Sequence, residues 1–268
     1  MLRTRSVRRL RIPDGPAAPE IRLVCLPHSG GAAYAYAPWA AYDLAGVELL
    51  AVQYPGRGDR FGEAASYTVQ ELAAQVAQEL GDAEPAPVAL FGHSLGGLVA
   101  YELARALAAD SRPAAALMVS SCHPPQHGSD GRTHLLPDAQ LWSSICALGG
   151  VDPSIAQDED FAQAMVPALR ADITAHECYR PEASGAVMEC PVRCYHGRQD
   201  PLIDPGALAG WAEVTTGPFT LVERDSGHFH ALQNPAGLVR DILEFVAAVS
   251  PKPDPGTDPD HRPGADNG

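Results

Sequence analysis

Basic residues are scarce in this 268-residue chain: 19 Lys and Arg stand against 33 Asp and Glu, for a formal net charge of −14. That balance argues against a nucleic-acid partner, because holding phosphates takes clustered Lys and Arg. Long apolar runs are missing too. No stretch approaches the roughly 20 residues needed to span a bilayer. The basic start is not followed by an apolar segment of signal length, so no membrane partner is expected and the cytoplasm is the expected compartment. Six cysteines, at positions 25, 122, 146, 178, 190 and 194, match no zinc or redox spacing, so no metal is expected. They read as small core residues in a reducing compartment, the Cys190–Cys194 pair included. Internal repeats are absent. The one basic concentration is residues 1–12, with Arg3, Arg5, Arg8, Arg9 and Arg11 and no acid. This arm is expected to be a frayed, soluble terminus.

Hydrophobic residues make up 46% of the chain, an ordinary globular share. The length suits one α/β domain with a small insertion. Short apolar runs at Ile21–Leu26, Val47–Gln53, Val88–Phe91, Ala114–Ser120, Val192–His196 and Phe219–Val222 predict strands. Helical spacing predicts helices over Val69–Leu80, Gly96–Ala109 and Leu238–Val249. Runs apolar on both faces suit a mostly parallel central sheet with helices on both sides. Between His123 and about Ala186 the rhythm breaks. About sixty structureless residues would be implausible in a compact domain, so helical pieces near Leu141–Ala147 and Phe161–His176 predict an inserted helical lid. The resulting division is an arm (1–12), a core in two parts (13–122 and 187–250), the lid (123–186), and a tail (251–268) whose Pro, Gly and Asp content predicts disorder.

The strongest chemical signal is Gly92-His93-Ser94-Leu95-Gly96, a G-x-S-x-G between a strand and a helix. It resembles the nucleophile elbow of the α/β-hydrolase fold, in which a strained turn exposes a serine hydroxyl at the carboxyl edge of the sheet. The glycines are needed because a Cβ would clash as the turn tightens. A serine hydroxyl needs a base. Chain order in this fold is Ser, acid, His, and His228, in the loop after the sixth strand, is favoured over His230. His93 is read as packing. The acid is read as Asp200, after the fifth strand. Its rivals are Asp204, whose bland reading is a helix cap before Pro205, and Asp225. Oxyanion donors are expected at the backbone N–H of Leu95 and, from the loop after the first strand, of Ser29, with Gly30 as the fallback.

LPHSGG, YPGRGDR, GHSLGG, HGRQDPLI and SGHFHAL, in that order from about Leu23 to Val249, together resemble the stand-alone type II thioesterases of polyketide and nonribosomal peptide pathways. The resemblance implies an α/β-hydrolase fold and a helical lid over an acyl chamber. It implies an editing activity that clears acyl groups from the phosphopantetheine arm of an acyl or peptidyl carrier protein, with no cofactor of the enzyme's own. It also supports Asp200 as the acid, since Ser120-Ser121-Cys122, after the preceding strand, offers no carboxylate. One departure is Ser29, where the family often has alanine; a backbone donor is indifferent to that change. Carrier proteins are usually acidic, so docking on this acidic chain needs local basic or apolar patches, with Arg57, Arg60, Arg132 and Arg198 as candidates. The alternatives are a general carboxylesterase or lipase, a terminal product-releasing thioesterase, which the short arm before the first strand argues against, and an inactive carrier-binding protein.

Overall fold

The computed structural model describes residues 6–11, 19–82, 86–182 and 187–250. Among these, seven strands form one sheet: β1 (Val7–Arg11), β2 (Ile21–Leu26), β3 (Val47–Val52), β4 (Val88–His93), β5 (Ala116–Ser120), β6 (Val192–Gly197) and β7 (Phe219–Arg224). Their order is β1-β3-β2-β4-β5-β6-β7. Every neighbouring pair is parallel except β1 with β3. The helices are α1 (Val69–Gly81), α2 (Leu95–Ala109), α3 (Asp138–Ala147), α4 (Glu159–Glu177), α5 (His230–Gln233) and α6 (Ala236–Val249).

The period-2 alternation of each strand builds two cores. From β2, Val24 and Leu26 face a cluster with Leu72 and Val76 of α1 and Leu98 and Val99 of α2. Ile21, Leu23 and Cys25 face the other way, onto Tyr36 and Trp39 of a 3-10 helix (Ala33–Ala41) and Ile242 and Val246 of α6. Both faces of the sheet are therefore covered, as runs apolar on both sides require. Helix α1 shows why its residues fold this way: Thr68 caps it by accepting from the Glu71 N–H at 3.2 Å. Val69, Leu72, Val76 and Leu80 then bury one stripe, about 2 kcal/mol for each such side chain.

Between β5 and β6 the chain leaves the sheet and forms α3 and α4, which carry a small core of their own around Leu141, Leu169 and Ile173. The predicted helical pieces are both present and both longer than their apolar spacing indicates. Residues 183–186 of the insertion, 1–5 and 12 of the arm, and the 251–268 tail lie outside the described residues.

Part of the arm departs from the expectation of a frayed end. Residues Val7–Arg11 form the edge strand β1, in antiparallel register with β3. Arg8 pairs with Asp59 at 2.7 Å. Arg9 and Arg22 both bind the Glu48 carboxylate, at 2.5 and 2.7 Å, while Glu79 accepts from the Ser6 and Val7 N–H groups. Among the cysteines, Cys25, Cys122 and Cys194 are core residues as read, whereas Cys178 is exposed and Cys146 and Cys190 are half-buried; all six are free thiols.

Glu48 is 2% exposed and Arg9 60%. Removing a buried partner leaves an uncompensated charge, whereas an exposed arginine gains little from its pair. Glu48→Ala is expected to lower the unfolding free energy by about 3 kcal/mol and Arg9→Ala by less than about 1 kcal/mol in urea denaturation. Equal losses would contradict this account of how β1 is held.

Candidate active site

Strand β4 runs straight into α2 with Ser94 between them, at φ 55° and ψ −122°. A non-glycine residue there costs about 1–3 kcal/mol and persists only when its surroundings over-determine it. They do so here. A Cβ on Gly92 would overlap the Gly96 carbonyl, and one on Gly96 would overlap the Leu26 carbonyl at the end of β2. The Ser94 N–H donates to the Ser120 carbonyl at 2.8 Å, and the Ser94 carbonyl accepts from Gly97 at 2.8 Å. The turn thus lies at the carboxyl edge of the sheet, with the free N–H groups of the α2 N-terminus beginning at Leu95.

His228 follows β7 and Asp200 follows β6, on neighbouring strands at the same edge. His228 Nδ1 lies 2.8 Å from Asp200 Oδ2, and both side chains are buried. The other carboxylate oxygen accepts from the Leu202 N–H at 3.0 Å. Burial alone would raise the Asp200 carboxyl, but its bond to His228 and the neighbouring charge hold it below the usual carboxylate range. Ser121, in the left-handed region at φ 48°, donates from its hydroxyl to the His228 carbonyl at 3.2 Å. Ser94, His228 and Ser29 line one cavity of about 640 Å³, whose walls also include Leu98, Ile173 and Phe229.

The rivals fall elsewhere. His230 is buried with Nε2 3.0 Å from the Ser120 hydroxyl, and that hydroxyl is 3.0 Å from His93 Nδ1. His93 packs, as read. Asp204 caps a 3-10 helix (Pro205–Val214), accepting from the Gly206 N–H at 2.9 Å. Asp225 is exposed and accepts from Gln199 at 2.9 Å. In the loop after β2, Gly31 N–H donates to His28 O at 2.9 Å, closing a tight turn whose third residue, Gly30, has φ +77°. The Gly30 N–H is already committed to Asp172 Oδ2 at 2.7 Å. That removes the fallback oxyanion donor, while Ser29 N–H takes no protein partner among the described residues.

Two of the proposed docking arginines are corrected. Arg57 is 1% exposed and paired with Asp172 of α4; Arg60 is 6% exposed and donates to Ser6, Gln53 and Glu63. Neither can meet a partner. Arg132 and Arg198 are exposed, Arg198 beside Glu223 at 3.4 Å. Asp172 and Ser121 were not singled out from the sequence. No local spacing marks Asp172, whose partners at positions 30 and 57 are more than a hundred residues away.

A mostly parallel sheet, covered on both faces and carrying a strained serine on a strand-to-helix turn at its carboxyl edge, defines a hydrolase of the α/β-hydrolase fold. More narrowly, residues 21–246 match the family model described as Thioesterase domain, and the chain belongs to that family. Thioesterase PikA5 of Streptomyces venezuelae is 37% identical over 242 residues, covering 87% of this chain and 84% of that protein. The gramicidin S biosynthesis protein GrsT of Aneurinibacillus migulanus is 31% identical over 232 residues, covering 86% and 89%. Among solved structures, the type II thioesterase BorB from the borrelidin biosynthetic cluster aligns with a TM-score of 0.82 at 38% identity, covering 90% of this chain and 97% of that one.

The site is ringed by neutral imidazoles. Burial, then the neighbouring His228 and Arg57, pushes His28 down to about 3. Burial, then Arg224, pushes His230 down to about 4. His93, fully enclosed, is held well below its ordinary value by burial and then by the surrounding histidines. An unfolded histidine binds its proton near pH 6.5, so from there down to about pH 4 the unfolded chain takes up protons that the folded chain refuses. Stability must fall with pH across that window, each of these histidines adding up to about 1.4 kcal/mol per pH unit. Asp200 has the opposite charge type but the same sign: its contribution is present above about pH 4 and is lost below, as the folded carboxylate finally protonates. Urea unfolding is expected to show a clear drop in free energy from about pH 7 to about pH 5. A flat profile would contradict the buried, uncharged state of these rings.

Proposed function

We propose that the chain is a type II editing thioesterase that hydrolyses acyl groups from the phosphopantetheine arm of acyl or peptidyl carrier proteins. Ser94 is the nucleophile, His228 the general base and Asp200 the residue that holds the imidazole. The observation that carries the reading is the 2.8 Å His228–Asp200 bond behind an imidazole that shares a cavity with the strained Ser94. The likeness to BorB, a type II thioesterase, and to GrsT of gramicidin S biosynthesis supports the substrate class. Six free thiols, Cys178 among them exposed, fit work in a reducing cytoplasm.

In this mechanism the Ser94 hydroxyl attacks the thioester carbonyl while His228 takes its proton. Asp200 accepts from Nδ1–H, so Nε2 is the free base and the imidazolium is stabilised as it forms. The developing oxyanion is met by the N–H of Leu95 at the α2 N-terminus and by that of Ser29. The pantetheine thiol leaves with the proton from His228. The same imidazole then activates water against the acyl-enzyme, and a second collapse releases the acid and restores Ser94. Side chains, two backbone N–H groups and water carry every step. The apolar wall of Leu98, Ile173 and Phe229 takes the acyl chain.

Intact-mass analysis of acyl carrier proteins loaded with short acyl groups is expected to show deacylation by the enzyme, faster than its hydrolysis of a simple oxygen ester. Faster turnover of the oxygen ester would favour a general carboxylesterase, and cyclised products a terminal thioesterase. Ser94→Ala is expected to abolish turnover and spare carrier binding. Asp200→Asn should lower kcat by about 10⁴-fold through the wrong imidazole tautomer. Turnover that survives Ser94→Ala rejects the assignment.

A further inference from the structure

We infer that Arg57 and Asp172 are a positioning pair through which the inserted helix α4 sets the oxyanion loop Ser29–Gly31. The inference rests on the reading of Ser94 as nucleophile and Ser29 N–H as a donor.

Three distant segments meet at Asp172. Its side chain is 1% exposed and that of Arg57 2%. Arg57 Nη1 and Nη2 grip the two carboxylate oxygens, Nη2 at 2.8 Å from Oδ1, in a bidentate fork. Arg57 also donates to Gly31 O at 3.3 Å and, from Nε and Nη2, to Pro55 O at 3.3 and 3.2 Å. Asp172 Oδ2 takes the Gly30 N–H at 2.7 Å. The loop is therefore fixed on both sides of the Gly30 residue by one ion pair: its N–H by the carboxylate, and the Gly31 carbonyl by the guanidinium. Once these are pinned, the unspent N–H of the turn is that of Ser29, which lines the cavity.

Helix periodicity links this clamp to the acyl site. Leu169, Asp172, Ile173 and His176 follow at i, i+3, i+4 and i+7 and share one face of α4. Leu169 packs on Gly30, where an added Cβ would lie 3.1 Å from its Cδ1. Ile173 and His176 line the cavity. The same helix face thus touches the loop after β2 at one end and lines the cavity at the other, so a displaced α4 would take the loop's anchor with it.

A buried ion pair is weak evidence for stability, since apolar replacements of similar volume are often neutral or stabilising. This makes Arg57→Met/Asp172→Leu a usable probe: it removes both charges, should fold, and leaves Gly30 N–H without its acceptor. Losing an oxyanion donor costs about 10²–10³ in kcat, and misplacing catalytic geometry by about 1 Å costs about 10². The double variant is expected to lose about 10²-fold in kcat on an acyl-pantetheine thioester, with KM changed by less than about 3-fold. Its affinity for a trifluoromethyl ketone analogue should fall in parallel with kcat. Unchanged kcat and analogue affinity, or a raised KM with kcat intact, would overturn the inference. A second readout needs no variant. In the unsubstituted protein the Gly30 amide is expected to exchange slowly with solvent, and more slowly still in the ketone adduct; exchange at the rate of an open loop would overturn the inference even if the double variant did not fold. Fluorophosphonate labelling tests the underlying reading separately. A label on a residue other than Ser94 sinks the nucleophile, whereas Ser94 labelled in a double variant of normal kcat sinks only the pair.

Discussion

Backbone crowding at the β4–α2 turn is the constraint on which the rest of the site depends. Gly92 faces the Gly96 carbonyl and Gly96 faces the carbonyl of Leu26, with no room for a Cβ at either position. The chain can make so sharp a turn only by placing Ser94 in a left-handed conformation. Two consequences follow from the same crowding. The hydroxyl is carried out over the sheet edge with the first N–H groups of α2 beside it. And because Gly96 lies against the end of β2, the loop that begins at Pro27 is brought next to Leu95. Ser94, Leu95 and the start of the loop after β2 are thus brought together by one close approach of three backbone segments.

The protonic half of the site is organised differently, by burial. His228 is surrounded by aromatic and imidazole rings: His93 at 5.3 Å and Phe229 at 5.0 Å between centroids, with His28 and His230 close to His93. These neighbouring imidazoles are kept uncharged, so the negative charge beside His228 is that of Asp200. The Asp200 carboxylate is thus the charged group hydrogen-bonded to His228 Nδ1. The hydrogen-bonded chain His93–Ser120–His230 lies under it and holds the floor of the site to β5.

Much of this was legible in the sequence because the signals are local. The interval Ile21–Leu26 is both the predicted and the observed strand, since a run apolar on both faces has no other comfortable place. G-x-S-x-G declares its own geometry, and the order Ser94, Asp200, His228 follows from which loops leave the carboxyl edge. Strand β1 was hidden because its alternation is carried by arginines, and the carboxylate that neutralises Arg9 belongs to β3. Arg57 read as a surface charge for the same reason: nothing within twenty residues reveals that Asp172, on an inserted helix, will bury it. Pairings made across long loops leave no periodic trace, and here they include the Arg57–Asp172 pair and its bond to the Gly30 N–H.

The central claim is that an acyl group passes through Ser94 under the control of the His228–Asp200 pair. Its most direct test is to mix the enzyme with acyl-loaded carrier protein, quench within the turnover time and map the acylated peptide by mass spectrometry. The account requires the acyl mass on the peptide that contains Ser94, and its loss in His228→Gln, whose amide cannot take the serine proton. An acyl group found on one of the free cysteines, or turnover with no covalent adduct at any quench time, would contradict it.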